Sequence, residues 1–496
     1  MYKRMSLLER NGIPGPRPHL IMGNMYEYYT RGYNDCFERW KKQHGKIFGY
    51  YLGAKPFVVI TDPELLKVIE VKEFNHFFDR PYVVPGGLYR NPKFHQQLYR
   101  VNRVDQDKWR AMRQSMSPWF SSLQLKSMVP TIVQCADDMV KLVAPLAQSN
   151  QEFNLYRVFE GVTMDAIHRT AFGVNTGAQK VTDNTPTTGD TNTLMDAHRA
   201  TLAAKTSEML ASLVLCLPEL SLAINAVRDI VERVCDKLGL NQDVLLWESV
   251  EKIVNTRLTQ RGGSTGPYRD VLELMIAANR LSKTEIVANA IAIDEAAFES
   301  PANNLGFIFH HLVNQPDLQR RVYQELRDEL VDSDGNPTHM DYQSLNRLPF
   351  TDAVIMEAFR IFPTDPLFMS HSPAGDYRYG SVTLPAGVDI RVPTYQLHRD
   401  PEYWEEPDVF NPDRFMGNSL KSVNPYVYQP FGVGPRMCPG KRFSVLEIKI
   451  ILAKLLLNYK VVPGDKTEPI GGLDLEFKLF SLSPRNGISV RLEARN

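Results

Sequence analysis

The sequence predicts a mainly α-helical chain with small β sheets, folded as a single large domain. Three observations predict it. From about Asp62 to Tyr459 most of the chain reads as helices joined by loops. The β-rich patches are confined to the edges, at residues 46–60, 377–391 and 477–492. Composition shows no break along the 496 residues, and 43% hydrophobic against 23% charged is the balance of a chain with a sizeable core.

The chain opens on a short basic segment, residues 1–10, that lacks the apolar centre of a signal peptide. GIPGPRP, residues 12–18, is stiff because each proline fixes φ and removes a backbone donor. Residues 1–18 therefore form a basic, proline-rich lead-in, and residues 19–496 the body of the domain. KIFGYYLGAKPFVVI, residues 46–60, predicts a hairpin. The Thr/Asn/Gly-rich tract 175–193 and RGGSTGP, 261–267, predict surface loops that bury little. Residues 210–227, LASLVLCLPELSLAINAV, are unusually apolar and broken by Pro218 and Glu219. They fit two readings equally: a pair of core helices with a turn, or a surface that dips into a membrane or lines a route for greasy substrate. No repeat of solenoid or propeller period is present, and no run of 18 apolar residues spans a membrane.

Lys+Arg and Asp+Glu both number 57, so there is no bulk electrostatic case for nucleic acid, and none is expected as a partner. The five cysteines (Cys36, Cys135, Cys216, Cys235, Cys438) are scattered, odd in number and never spaced CxxC. That is neither a disulfide framework nor a zinc site, and a reducing compartment fits best.

The strongest chemical signal is PFGVGPRMCPGKRF, residues 430–443. Gly432, Gly434 and Pro435 force a tight turn, and a helix begins just after Cys438. Phe443, Leu446, Ile450, Ala453 and Leu457 recur at helical spacing and would bury that helix. A thiolate at Cys438 would gain from the helix N-terminus and from N–H groups of the turn, both favouring the form that ligates iron. By itself a lone Cys in such a turn is more often structural. A phosphate loop fits worse, because no third Gly and no Lys-Ser/Thr follow the GxG.

FGVGPRMCPG resembles the haem-binding signature of the cytochrome P-450 superfamily, F-x-x-G-x-R-x-C-x-G, at every fixed position, including Phe431, Arg436 and Cys438. Three further motifs agree in order and spacing. EAFR holds Glu357 and Arg360 one turn apart, which alone would be an ordinary surface pair. The resemblance makes them the E-x-x-R pair, closed by Arg414 of NPDRF into a buried structural triad. WRAMR is similar to the W-x-x-x-R helix whose Trp109 and Arg113 would meet a haem propionate. His371 falls where the family places another propionate-binding Arg or His. The resemblance implies the cytochrome P-450 fold, with haem b (iron protoporphyrin IX) buried between a long distal helix and the Cys-ligand helix, and Cys438 as the iron ligand. GIPGP and YQLHRDPEYW are most similar to the animal microsomal group that contains broad-specificity drug oxidases and thromboxane synthase.

Residues 281–312 occupy the place of the distal helix. Where the family shows A/G-G-x-D/E-T-T, this chain has Ala296-Ala297-Phe298-Glu299-Ser300-Pro301. Delivering protons to bound dioxygen requires an acid and a hydroxyl that both donates and accepts, and Glu299 with Ser300 supply that pair. Ala297 adds a methyl group where oxygen enters beside the haem, and Pro301 leaves the Ala297 carbonyl without its helical partner. Asp294 and Glu295 lie just upstream. They read first as charges facing solvent or an arginine, and alternatively as groups that recognise a polar substrate.

The function implied is insertion of one oxygen atom from O2 into a lipophilic small molecule, with electrons from NADPH passed through NADPH-cytochrome P-450 reductase. Phe298, the stretch around Phe368 and Met369, and residues 480–483 would line the pocket. Arg436, Lys441 and Arg442 would face that reductase or cytochrome b5, with propionate binding an alternative for Arg436. The resemblance also implies the endoplasmic reticulum membrane, cytoplasmic face, with contact to the membrane surface and an N-terminal anchor absent from this sequence. Two other readings remain: an oxygen-independent isomerase or dehydratase of thromboxane synthase type acting on a peroxide, and a haem-binding carrier or sensor without turnover.

Overall fold

Alternating β-branched and aromatic residues make residues 46–60 a hairpin, and the computed structural model pairs β1 (Ile47–Leu52) antiparallel with β2 (Lys55–Ile60). The structure describes residues 5–81, 93, 96–98, 106–180, 215–220, 223–224, 226–227, 230–231, 233–234, 242–260, 270–334, 340–367, 370–477 and 481–495. The remaining strands are β3 (Phe153–Asn154), β4 (Ser370–His371), β5 (Tyr377–Tyr379), β6 (Val382–Leu384), β7 (Asp389–Arg391), β8 (Tyr459–Pro463), β9 (Leu475–Phe477), β10 (Leu482–Pro484) and β11 (Ser489–Ala494). The hairpin grows into a sheet of order β1-β2-β7-β4, with β7 parallel to β2 and antiparallel to β4. Three smaller groups, β10-β9, β3-β11-β8 and β5-β6, complete the β structure at the edges of the helices.

The proline-rich lead-in lies on this sheet. Gly49 donates its N–H to the Pro14 carbonyl at 2.8 Å. A Cβ on Gly15 would sit 1.9 Å from the Gly49 carbonyl oxygen, so only glycine allows the approach. Leu8 and Ile13 are buried against the sheet's apolar residues.

The helices that form the core are α1 (Tyr33–His44), α2 (Gln106–Met116), α3 (Ser122–Gln148), α4 (Leu155–Ile167), α5 (Gln242–Gln260), α6 (Lys283–Asn314), α7 (Pro316–Leu330), α8 (Pro349–Ile361) and α9 (Lys441–Asn458). The 32-residue α6 is the expected long helix. A reciprocal capping box between Ser282 and Glu285 starts it. Buried Asn289 accepts from Leu98 N–H at 2.8 Å and donates to the Gln96 carbonyl, fastening residues 96–98 to its side. The helix continues through Pro301, and Thr163 of α4 donates its hydroxyl to the Phe298 carbonyl at 2.9 Å one turn before the proline.

Helix α9 departs from expectation. Phe443, Leu446, Ile450 and Ala453 are buried as the spacing implies, but so are Ile448, Ile451, Leu452, Leu455 and Leu456. It packs against α3, α6 and α7, so the helix is sealed nearly all round rather than on one stripe. Burying each such side chain contributes roughly 1.5–3 kcal/mol, which anchors the segment that begins just after Cys438. Of the apolar stretch 210–227, residues 210–214, 221–222 and 225 lie outside the described residues, as do 181–193 and 261–267 of the two expected loops. Where that stretch is described, Leu215 is buried while Leu220 and Val227 are exposed.

The Glu357–Arg360 pair of α8 is fully buried. Arg360 donates Nε and Nη2 to the two Glu357 carboxylate oxygens at 2.7 and 2.8 Å, and its remaining N–H groups to the carbonyls of His398, Pro407 and Val409. Arg414 closes the expected triad, with Nε 3.5 Å from Glu357 Oε1, and Asn411 N–H donates to the same oxygen at 2.8 Å. Glu357→Ala leaves the guanidinium buried without its counter-charge. The expected cost is about 3–5 kcal/mol, read as a lower urea midpoint, and a midpoint shift under about 1 kcal/mol would contradict this account of the pair.

Candidate active site

Cys438 sits at the end of a turn whose glycines are needed. Gly434 has φ +74, and a Cβ there would lie 2.0 Å from the Glu70 carbonyl oxygen. The Cys438 N–H donates to the Phe431 carbonyl at 2.9 Å, and the Phe431 ring meets Phe359 of α8 edge-on at 5.2 Å. The sulfur lies deep in the molecule yet part of its surface is open. It accepts from the backbone N–H groups of Gly440 and Lys441, where α9 begins. Burial nevertheless pushes the thiol up to about 11, with Asp365 adding to the rise, against those two donors and Arg113. The helix N-terminus and the turn are therefore in place as expected, but they do not outweigh desolvation. A cation at the sulfur is what would make it a thiolate.

The groups around this turn are mostly cationic. Arg436 is buried and lies 4.3 Å from the Phe78 ring and 4.9 Å from the Trp109 ring. Burial, reinforced by Arg80, lowers Arg436 to about 8. Burial likewise lowers Arg80 to about 10, although Asp365, Glu70 and Cys438 pull the other way. Arg113, from the α2 turn after Trp109, is lowered by burial and feels the Cys438 sulfur. His371 of β4 hydrogen-bonds through Nδ1 to the Phe77 carbonyl at 3.1 Å, while its Nε2 is buried with no partner among the described residues. Burial together with Arg80 and Arg436 drops this ring to about 3, so it is neutral until an anion arrives.

Three desolvated guanidiniums and an orphaned imidazole nitrogen beside one thiol fit a cofactor that carries two carboxylates and a thiolate-seeking metal, and iron protoporphyrin IX has both. Trp109, Arg113, His371, Phe431, Arg436 and Cys438 are thus brought together as the sequence implies. The burial of Arg436 corrects its expected place on a docking face, since a buried guanidinium meets no partner protein. Lys441 and Arg442 are exposed there, Arg442 held by Ser122 Oγ and Tyr342 Oη at 2.8 and 2.7 Å.

The expected distal helix is α6. Its residues are buried on all sides from Ile286 to Asp294 and from Pro301 to Val313. Burial breaks only between them, where Ala296 is exposed and Glu295, Ala297 and Ser300 are half-buried. The Ser300 hydroxyl makes no hydrogen bond to a described residue. Glu299 is 8% exposed, and its Oε1 accepts from Ser481 Oγ at 3.1 Å.

Other expectations change. Asp294 does not face solvent: its carboxylate pairs with His168 Nε2 at 2.9 Å, both residues buried. Phe298 is 1% exposed and packs with the core. Phe368, Met369 and Phe480 lie outside the described residues. Sequence reading missed Arg80 and Asp365. Arg80 is an isolated basic residue in a loop, brought beside His371 because residues 77–79 run along β4 and its flank, Asp79 bridging Ser372. Asp365 lies deep between Pro363 and Pro366, part of its surface open, where it feels Glu299 and Arg80. Neither residue carries a local signal that a single sequence displays.

Comparison with known proteins agrees with this geometry. The family described as Cytochrome P450 matches residues 13–488. The chain is 31% identical over 465 residues to cytochrome P450 3A6 of Oryctolagus cuniculus, covering 91% of this chain and 86% of that protein. It is similar to cytochrome P450 3A28 of Bos taurus at 31% identity, covering 93% and 87%. It is also similar to cytochrome P450 3A7 of Homo sapiens at 29%, covering 93% and 88%.

If the arginine cluster holds propionates, Arg80→Ala and Arg113→Ala each leave a carboxylate short of a charged donor, worth about 1.5–3 kcal/mol. Haem transfer to apomyoglobin should then quicken by roughly tenfold or more. Unchanged transfer rates in both variants would remove the cluster from cofactor binding.

Proposed function

This chain belongs to the cytochrome P450 family of haem monooxygenases, and on that premise we propose that it inserts one oxygen atom from O2 into a lipophilic small molecule. Electrons come from NADPH through a reductase. The observation that carries the reading is the deeply placed Cys438 sulfur at the start of α9 with Arg113 and Arg80 around it, on a chain that the family model matches over residues 13–488.

Bound there, haem b would supply the redox centre that activates dioxygen. Cys438 would be the iron ligand, its sulfur steadied by the Gly440 and Lys441 N–H groups. Arg80, Arg113, Arg436 and Trp109 would hold the propionates, and His371 would join them once protonated, because Nδ1 is already committed to the Phe77 carbonyl. Ser300 would relay a proton at its free hydroxyl. Glu299 would feed it, but only after turning from Ser481, which holds the carboxylate in this structure. Ala297 narrows the oxygen side of the cavity by a methyl group.

A reductase docking on the exposed side near Lys441 and Arg442 is consistent with the basic character of that surface. Association with the endoplasmic reticulum membrane, on its cytoplasmic face, is supported by exposed Leu20, Ile21, Met22, Tyr26 and Tyr29 and by exposed apolar residues at 220–234. No helix among the described residues is long and apolar enough to cross a membrane.

The reduced, CO-bound spectrum of the purified protein should show the long-wavelength thiolate band, and Cys438→Ala should lose it. Haem bound without that band in the unmutated protein would remove Cys438 as ligand. With reductase and NADPH, Ser300→Ala should divert oxygen to peroxide, and unchanged product per NADPH would remove Ser300 from proton delivery. Product from a hydroperoxide alone, with none from NADPH and reductase, would establish the isomerase reading instead.

A further inference from the structure

The described wall of the cavity is less greasy than the sequence implies. Three segments converge there: α6 with Glu299, the turn after α8 with Asp365, and the start of β10. Leu482 N–H donates to the Thr364 carbonyl at 2.8 Å, and Ser481 Oγ donates to Glu299 at 3.1 Å. The C-terminal hairpin thereby ties the two acidic segments side by side. Asp365 has no hydrogen bond or ion pair to a described residue, though it lies deep and part of its surface is open.

A second observation comes from α1. Tyr33 of α1 is 8% exposed, its hydroxyl has no hydrogen-bond partner, and that hydroxyl feels the Asp365 carboxylate. Its ring meets Phe477 of β9 edge-on at 5.7 Å, and Tyr395 meets the same Phe477 at 5.6 Å. A buried hydroxyl and aromatic rings beside an unpaired carboxylate are the chemistry that receives an ammonium group.

We propose that the substrate is a lipophilic molecule bearing a cationic nitrogen, with Asp365 as its counter-charge and Tyr33 beside it. This rests on the monooxygenase reading and names the substrate class for that same cavity. Burial and Glu299 raise Asp365 to about 7, against Arg80, so an arriving cation would also draw off its proton.

The test uses the haem-loaded protein and two probes of one shape, the 4-phenylbutyl-trimethylammonium ion and its uncharged tert-butyl isostere. Neither has a lone pair to ligate iron. Binding is read from the shift of the Soret band and by calorimetry, without turnover. In Asp365→Asn the ratio of cation to isostere affinity should fall about tenfold or more relative to the unmutated protein, while isostere affinity holds. Asp365→Glu should keep most of the preference, and Tyr33→Phe should lose part of it. An unchanged ratio in Asp365→Asn overturns the proposal. Should that variant fail to load haem, an unmutated protein that binds the isostere and not the cation overturns it equally. The thiolate-type CO band, recorded on each preparation, separates the two readings: with the band present and no charge preference, the monooxygenase stands and only the substrate class falls.

Discussion

A guanidinium taken out of water has to find an acceptor for each of its five N–H groups, and Arg360 does so with none of its surface exposed. Two go to Glu357 on its own helix and three to carbonyls of the loop from His398 to Val409. The loop cannot move without uncovering the charge. His398 extends the constraint: its Nδ1 lies near the carbonyls of Phe359 and Arg360, and its Nε2 accepts from the Gln429 N–H at 3.0 Å. Gln429 stands just before the turn that carries Cys438. The depth of the sulfur is thus set through hydrogen bonds running from α8, across a buried neutral imidazole, into the ligand loop. Burial and the nearby arginines hold His398 near 3, which keeps Nε2 an acceptor at physiological pH.

Electrostatics divides the cavity. Arg80, Arg113 and Arg436 share one side of the turn and are destabilised there by burial, with Arg80 and Arg436 also repelling each other. Glu299 and Asp365 repel each other, and Asp365 also feels Arg80. A dianionic macrocycle placed between would discharge the first group and shield it from the second. The protein without its cofactor therefore carries a strained charge arrangement that loading relieves, which makes haem a folding partner as well as a reagent.

The motifs that were legible in the sequence are those in which one segment supplies both the chemistry and its spacing. The turn at residues 430–443 holds the sulfur, its glycines and its helix start within one reach of chain. The Glu357–Arg360 pair is fixed by a single helical turn. The span of α6 was legible only by resemblance, as residues 281–312, and its Ser282 cap emerged with the structure. What escaped reading was assembled by tertiary contact. Arg80 becomes part of the cationic cluster because the backbone of residues 77–79 runs along β4, and Asp365 becomes part of the cavity because β10 hydrogen-bonds to Thr364. Asp294 was misread for the same reason. A charge in an apolar helix looks either exposed or functional until a partner such as His168 arrives from a helix more than a hundred residues away.

The departures in the distal motif take on a different weight once α6 is seen to be continuous. Pro301 removes one N–H but does not end the helix, and Thr163 bonds to the neighbouring Phe298 carbonyl. The substitution is therefore chemical rather than architectural: it leaves a carbonyl at Ala297 without its helical donor, on the half-buried stretch that faces the cavity. Ser300 stands three residues on with an unengaged hydroxyl, and Glu299 is held away on Ser481. A serine lacks the methyl that restricts χ1 in threonine, so its hydroxyl has more orientations from which to reach a water. An acid that must release Ser481 before it serves, and an alcohol free to turn, make proton supply depend on how the C-terminal hairpin sits. Because that hairpin also carries the backbone bond to the Asp365 segment, whatever binds at Asp365 acts on the position of Glu299 through the same few residues. On the proposed substrate site, binding and proton supply would be coupled by one strand rather than by a separate switch.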